Sequence, residues 1–203
     1  MTQPPPEPPP APPVPLVNLP NALTVLRLIL VPVFLLALFA EGGHDPFWRW
    51  IAWAVFAIAA VTDLYDGHIA RQRGQVTDFG KIADPIADKA LTGSALIGLS
   101  MLGDMPWWVT VVILVREIGI TLLRFAVIKY GVISANSGGK LKTLLQIIAI
   151  GLYILPLPDA LDWVKVGFLA AAVILTLVTG IDYLVKAIAM VAKARRPDRT
   201  GPD

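Results

Sequence analysis

The stretch at residues 63–88, DLYDGHIARQRGQVTDFGKIADPIAD, contains five aspartates in an otherwise apolar chain, and four of them form two closely spaced pairs. Asp63 and Asp66 are three residues apart, and Asp84 and Asp88 are four residues apart. Each pair would therefore lie on one face of a helix. Carboxylates beside membrane-spanning sequence are costly unless they are paired, hydrated or bound to metal. The spacing predicts two helices that each contribute two carboxylates to an all-oxygen pocket suited to Mg²⁺ or Mn²⁺.

The composition of the whole chain indicates a membrane protein. Of its 203 residues, 56% are hydrophobic and only 16% are charged, whereas a soluble domain carries about a quarter of charged residues. Cysteine is absent, which excludes a disulfide framework, a thiol nucleophile and a cysteine-based zinc site. The formal net charge of +2 is too small to argue for nucleic-acid binding.

Six apolar spans can be recognised, each near the roughly 20 residues that cross a bilayer. The chain is therefore predicted to be an all-α polytopic membrane protein with six transmembrane helices, near residues 22–40, 48–68, 83–103, 106–130, 141–158 and 163–190. The second span would end in the first aspartate pair. The third would begin with the second pair, because Asp84 followed by Pro85 suits a helix start.

The two ends of the chain lie outside these spans. Residues 1–16, MTQPPPEPPPAPPVPL, are rich in proline and lack the basic segment of a signal peptide. We predict a disordered, extended tail there, with a ligand for a proline-recognising module as the alternative. Residues 17–193 form the predicted six-helix domain, and residues 194–203 form a basic tail.

Lysine and arginine are distributed unequally between the two sides of the predicted bundle. The side that carries the aspartates also holds Arg71, Arg73, Lys81, Lys129, Lys140, Lys142, Lys193, Arg195, Arg196 and Arg199. The opposite connections hold only Arg49 and Lys165. The positive-inside rule therefore predicts that both termini and the aspartates lie on the cytoplasmic side.

Small and basic residues lie between the two aspartate pairs. Gly67, Ala70 and Gly80 are each four residues from an aspartate, and their lack of bulk would let a phosphate or a ring approach the backbone. Arg71 could donate two hydrogen bonds to a phosphate. A metal, a phosphate and a membrane together suggest transfer chemistry on a phosphorylated lipid.

The run from Asp63 to Arg71, followed after eight residues by the run from Gly80 to Asp88, resembles the signature of the CDP-alcohol phosphatidyltransferase family. That signature reads DxxDGxxAR, a spacer, and GxxxDxxxD, and no fixed position is missing here. The similarity extends from Asn18 to about Lys193. The resemblance implies an enzyme of the cell inner membrane, expected to be a homodimer, that moves the phosphatidyl group of CDP-diacylglycerol to an alcohol and releases CMP.

The resemblance also implies roles for the residues at matching positions. Mg²⁺ or Mn²⁺ would be bound by Asp63, Asp66, Asp84 and Asp88. Asp88 would contact the metal or serve as general base toward the acceptor alcohol, which makes it the predicted catalytic residue. The CDP group would be contacted by Asn21, Thr24, Asp66, Gly67, Ala70, Arg71 and Gly80.

A second polar set lies further along the chain. Arg116, Glu117 and Arg124 stand in REIGITLLR within an apolar span, and the two arginines fall on roughly one helical face. Lys140 and Lys142 open the next helix, whose N-terminus also favours anions. These four cations predict a second phosphate site, for an acceptor such as sn-glycerol 3-phosphate. REIGITLLR and GGKLKTLLQ also resemble the glycerol 3-phosphate branch of the family.

Other interpretations of these patterns stay open. Arg116 could simply pair with Glu117, and the lysines could mark the cytoplasmic boundary. Inositol phosphate is the chief rival acceptor, and phosphatidylglycerol, as in a cardiolipin synthase, is the next. A secondary transporter is the non-enzyme alternative, because carboxylates and broken helices can bind ions. Against a transporter, the aspartates fall at the ends of spans.

Some polar residues have simple structural interpretations. Asp182 and Lys186 are four residues apart near the end of the last span, and we predict that they pair with each other. Asn21 and Thr24 could serve as a helix N-cap and a first-turn residue. The aspartates could, as the plainest alternative, merely pair with neighbouring basic side chains.

Overall fold

The computed structural model describes residues 18–73, 78–128 and 137–194, with their side chains except at residues 20, 63–73, 78–82, 84–85, 88, 137–138, 140 and 193–194. The described residues form α-helices and short 3₁₀ turns and no strand, so the predicted all-α architecture is confirmed. The six helices are α1 Leu19–Phe39, α2 Pro46–Arg73, α3 Asp78–Met101, α4 Trp107–Val127, α5 Ser137–Ile154 and α6 Asp162–Ala194. The predicted N-terminal tail, and all but the first residue of the predicted C-terminal tail, lie outside the described residues.

Helix α1 begins at Leu19, three residues before the predicted start at residue 22. Asn18 is its N-cap: the Asn18 side chain accepts a hydrogen bond from the backbone N–H of Asn21 at 2.9 Å. Such a cap satisfies one of the donors that a helix leaves free at its start. Asn21 is therefore a first-turn residue, and its interpretation as the N-cap is wrong.

Helices α2 and α3 continue through the polar stretch between the second and third predicted spans. Helix α2 ends five residues later and α3 begins five residues earlier than predicted, so Asp84 and Pro85 lie inside α3. The prediction of a helix start at this dipeptide is wrong, because hydropathy reports the apolar part of a helix, whereas its backbone hydrogen bonds can continue through polar sequence. The 28 residues of α2 span about 42 Å, more than the ~30 Å hydrocarbon core of a bilayer.

Helix α5 ends at Ile154, four residues before the end of the predicted span at residue 158. Two prolines, Pro156 and Pro158, follow at once. Proline has no backbone N–H, and it disfavours the helical conformation of the residue that precedes it. The local chemistry of these prolines therefore overrides the apolar composition of Leu155 and Leu157.

The bundle is held together by a core to which all six helices contribute. Helix α1 packs against α2 and α3, and α6 packs against α4 and α5. Phe34 of α1 and Phe56 of α2 are buried with their ring centroids 5.8 Å apart. A Cβ atom at Gly98 of α3 would come within 2.7 Å of the Leu38 side chain, so glycine allows α3 to approach α1 closely.

The outer surface of the bundle is apolar. Large exposed hydrophobic side chains include Leu36, Ile58, Val115, Leu122, Phe125, Ile174 and Ile188. The segments Asn21–Gly43 and Asp159–Ala192 are each long and apolar enough to cross a membrane, and shorter apolar helical segments cover Pro46–Thr62 and Leu141–Ile154. This surface suits lipid contact, because a water-soluble bundle would place polar side chains there.

Arg49, which we predicted to lie in a connection opposite the aspartates, is buried in the first turn of α2 with 5% of its surface exposed. Its guanidinium donates to the backbone carbonyl of Gly43 and, at 3.3 Å, to that of Tyr153, and it forms an ion pair with Asp104. Gly43 has a φ of +83°, where a side chain is strained. Arg49 thus joins three parts of the bundle: the α1–α2 connection, the α3–α4 connection and the end of α5.

Replacing Arg49 is expected to lower the stability of the protein more than replacing Lys165. Arg49→Ala removes the donor of two backbone carbonyls and leaves Asp104 with only the exposed His44 as a partner, so we expect a loss of about 2–4 kcal/mol. Lys165 pairs with Asp162, whose side chain is 56% exposed, and Lys165→Ala should cost less than about 1 kcal/mol. Unfolding in detergent micelles followed by circular dichroism measures both losses. Equal losses would contradict the role assigned to Arg49.

Candidate active site

The four signature aspartates stand on two helices that pack against each other. Asp63 and Asp66 are one turn apart in α2, and Asp84 and Asp88 are one turn apart in α3. Their side chains, and those of Ala70 and Arg71, lie outside the described part of the structure, and the same is true of the surroundings of Gly67 and Gly80. The metal and CDP assignments of these residues therefore stay predictions.

The chemistry of this donor set fits a hard divalent cation. Carboxylate oxygens are the ligands that Mg²⁺ and Mn²⁺ prefer, whereas zinc sites are built mainly from thiolate and imidazole groups. Two carboxylates per helix, one turn apart, can be presented by each helix without a special backbone conformation. Among the side chains that the structure describes, no other group of three or more His, Asp or Glu is placed to hold a metal ion.

Helix α1 presents a buried polar edge near the same end of the bundle. Asn21, Thr24 and Arg27 follow at intervals of three residues, and only 5%, 1% and 0% of their surfaces are exposed. Buried polar groups are expensive in an apolar bundle unless they serve an interaction. Because α1 packs against α2 and α3, this edge belongs to the helices that carry the aspartates.

A second polar cluster joins α4, α5 and α6, and Glu117 is at its centre. The Glu117 carboxylate accepts a hydrogen bond from Arg116 Nη1 at 3.1 Å and another from Lys142 Nζ. The Arg116 and Lys142 side chains are 16% and 6% exposed. Arg116 also donates from Nη2 to the hydroxyl of Thr179 at 2.9 Å. The structure therefore brings together two of the four cations predicted to bind the acceptor phosphate.

The other two predicted acceptor-binding cations are placed differently. Arg124 lies eight residues beyond Arg116 on α4 and is exposed, with its guanidinium carbon 5.9 Å from the centre of the Tyr183 ring. The side chain of Lys140 lies outside the described residues. Arg116 is thus placed beside Lys142 by Glu117, while Arg124 stacks on an aromatic ring of α6.

Sequence reasoning missed the contribution of α6 to this cluster. Thr179 contacts Arg116, and an ideal Cβ atom at Gly180 would lie 3.2 Å from Arg116 Cγ. The sequence feature that could have indicated this contact is Thr179 followed by Gly180, a polar and a small residue inside an apolar span. In contrast, the predicted pair of Asp182 and Lys186 is confirmed, with Lys186 Nζ 2.7 Å from the Asp182 carboxylate.

Comparison with known proteins confirms the resemblance found in the signature. The sequence profile of the CDP-alcohol phosphatidyltransferase family matches residues 17–178. This chain therefore belongs to the CDP-alcohol phosphatidyltransferase family, and it is an enzyme of the membrane.

Particular relatives can be named within this family. A probable phosphatidylglycerophosphate synthase of Mycobacterium tuberculosis is 60% identical over 168 residues, which cover 83% of this chain and 80% of the relative. A CDP-diacylglycerol–glycerol-3-phosphate 3-phosphatidyltransferase of Bacillus subtilis is 37% identical over 187 residues, covering 82% of this chain and 93% of the relative. The protein of the same name from Shigella flexneri is 35% identical, covering 81% of this chain and 92% of the relative.

The Glu117–Lys142 pair is expected to show strong energetic coupling. In a double-mutant cycle of Glu117→Gln and Lys142→Met, each single change removes one charge of an ion pair that is largely shielded from solvent, so we expect a coupling free energy of about 1–3 kcal/mol. The matched control is the pair of Asp182 and Lys186, whose side chains are 44% and 47% exposed. Its coupling should stay below about 0.5 kcal/mol. Unfolding measurements on both cycles in the same detergent test this difference, and equal coupling would refute it.

Proposed function

We propose that this protein transfers the phosphatidyl group of CDP-diacylglycerol to sn-glycerol 3-phosphate, giving phosphatidylglycerophosphate and CMP. The complete aspartate signature on α2 and α3 carries the proposal. The names of the relatives support the choice of acceptor, since one is 60% identical and named for phosphatidylglycerophosphate synthesis, and another is 37% identical and named for glycerol 3-phosphate. This chain covers at least 80% of both relatives.

Helices α1, α2 and α3 would bind the nucleotide end of the lipid substrate. Gly67, Ala70 and Gly80 have little or no side chain, so they would leave room for the pyrophosphate and the ribose against the helix backbone. Arg71 would donate a bidentate pair of hydrogen bonds to a phosphate. The proposed CDP-binding residues are Asn21, Thr24, Asp66, Gly67, Ala70, Arg71 and Gly80.

The transfer step needs a base for the acceptor hydroxyl and compensation for the charge of the leaving group. Mg²⁺ or Mn²⁺, held by Asp63, Asp66, Asp84 and Asp88, would supply that compensation when bound. Asp88 would accept the proton of the acceptor hydroxyl, whose oxygen forms a bond to the phosphorus that carries diacylglycerol. The bond between this phosphorus and the CMP oxygen breaks. Such a reaction depends mainly on positioning and electrostatics.

The cluster around Glu117 would bind the phosphate of the acceptor, together with Arg124 and Lys140. Arg116 and Lys142 bring two positive charges to one place, on either side of the Glu117 carboxylate. Two cations placed side by side favour the binding of an anion through charge-assisted hydrogen bonds. A phosphate monoester is such an anion. The reacting group of phosphatidylglycerol is a neutral hydroxyl, which would not explain why cations are placed here.

The unequal distribution of basic residues supports one orientation of the protein across the membrane. We propose six transmembrane crossings in the cell inner membrane, with both termini and the active site on the cytoplasmic side. CDP-diacylglycerol and glycerol 3-phosphate would thus meet at the cytoplasmic surface of the bilayer. Homodimerisation is proposed from family membership alone.

Release of CMP by the purified protein tests the reaction and the acceptor together. With CDP-diacylglycerol and Mg²⁺, we expect CMP release with glycerol 3-phosphate and little or none with inositol phosphate or phosphatidylglycerol. Asp88→Asn should lower the turnover at least about 100-fold, because it removes the proposed base. Release with another acceptor would overturn the acceptor assignment and keep the transferase. Solute transport into sealed vesicles, without CMP release, would favour a transporter.

Removing Arg116 should affect the two substrates differently. Arg116→Ala is expected to raise the KM for glycerol 3-phosphate about tenfold or more, because a charge-assisted hydrogen bond to phosphate is lost. The KM for CDP-diacylglycerol should stay within about twofold, since that substrate would be bound by α1, α2 and α3. Lys186→Ala is the control, because Lys186 is an exposed cation paired with Asp182 on α6. An unchanged acceptor KM in Arg116→Ala would remove Arg116 from the acceptor site.

A further inference from the structure

The side chain of Arg116 lies along the surface of α6, at a place where that helix has no side chain. The three atoms nearest to an ideal Cβ at Gly180 are Cγ, Nε and Cδ of Arg116, at 3.2, 3.4 and 3.9 Å. All three belong to the arginine side chain, and none belongs to the backbone of α4. The absence of a side chain at Gly180 thus makes room for one arginine and not for closer packing of two helices.

Thr179, the residue before this glycine, holds the end of the same arginine. Its hydroxyl lies 2.7 Å from the carbonyl oxygen of Leu175 and 3.2 Å from that of Thr176, one turn back in its own helix. A hydroxyl has a single proton to donate. With that proton directed to the helix backbone, the Thr179 oxygen is left to accept the hydrogen bond from Arg116 Nη2.

The guanidinium is therefore held on two sides by the protein. Nη1 is held by Glu117 of α4, and Nη2 is held by Thr179 of α6. Nε is buried and makes no hydrogen bond to the residues that the structure describes. Two fixed contacts and a glycine that admits the arginine stem restrict a side chain that otherwise has many rotamers.

We propose that Thr179 and Gly180 are positioning residues that hold Arg116 in the orientation needed for the phosphate of the acceptor. This inference rests on the proposed function, in which Arg116 binds that phosphate. The last helix thereby takes part in acceptor recognition through Arg116, without touching the acceptor itself. An arginine that is misplaced by a fraction of an ångström loses the directed hydrogen bonds that make guanidinium recognition of phosphate strong.

Two glycines of α6 provide a matched comparison. Gly180→Ala would bring a methyl group against Arg116, whereas Gly167→Ala meets no atom within 4 Å among the described residues. Both changes replace glycine by alanine inside the same helix and raise its helix propensity alike. We expect Gly180→Ala to raise the KM for glycerol 3-phosphate about tenfold, with the KM for CDP-diacylglycerol unchanged. Gly167→Ala should leave both constants within about twofold.

Thr179 provides a second comparison that does not depend on added bulk. Thr179→Val removes the hydroxyl and keeps the shape of the side chain, so it should raise the KM for glycerol 3-phosphate about tenfold. Thr179→Ser keeps the hydroxyl and should restore the acceptor KM to near the wild-type value. A merely structural role would instead show a lower thermal unfolding midpoint and equal changes for both substrates.

The outcomes separate this inference from the proposed function. If Arg116→Ala raises the acceptor KM but Gly180→Ala and Thr179→Val do not, the positioning role is wrong and the acceptor site stands. If Arg116→Ala itself has no effect on the acceptor KM, the acceptor site is wrong and the positioning role is wrong with it. Should Gly180→Ala fail to fold, the comparison of Thr179→Val with Thr179→Ser decides by the same criterion.

Discussion

Charges that this chain buries among its apolar helices have to be compensated, and this requirement organises the bundle. At the start of α2, Arg49 forms an ion pair with Asp104 and donates hydrogen bonds to two backbone carbonyls. Across α4 and α5, Glu117 pairs with both Arg116 and Lys142. Removing one partner of a buried pair leaves the other charge in a medium of low polarity, which costs more than the pair gains. Each cluster therefore fixes the relative positions of the helices that it joins.

The six helices divide the proposed chemistry into two halves. Helices α1, α2 and α3 pack together and carry the aspartate signature and the buried edge of Asn21, Thr24 and Arg27. Helices α4, α5 and α6 carry the cluster in which Arg116 meets Glu117, Lys142 and Thr179. In this arrangement the donor of the phosphatidyl group and its acceptor would be recognised by different helices. A change of acceptor then needs no change in the carboxylates that perform the transfer.

Local patterns predicted the helices well, and the errors have local causes. Each of the six predicted spans overlaps one of the six described helices, because a run of about 20 apolar residues has few other stable structures in a membrane. The predicted ends of the helices were less accurate. Asn18 caps α1 three residues before the predicted start, and α5 ends at Ile154, four residues before the predicted end, because prolines follow. The pair of Asp182 and Lys186 was predicted correctly because four residues on a helix determine its geometry. The ion pair of Arg49 was not predicted, because its carboxylate partner is 55 residues away in the chain.

By itself, the sequence determined the all-helical membrane class, the family and the register of the aspartates, since all three depend on hydropathy and spacing within short segments. Only the tertiary structure decided which groups the buried cations meet. Lys142 reaches a carboxylate 25 residues away, Arg49 one that is 55 residues away, and Arg116 a hydroxyl that is 63 residues away. Such contacts depend on which helix faces pack against each other, and a pattern within one helix does not specify the face of its neighbour.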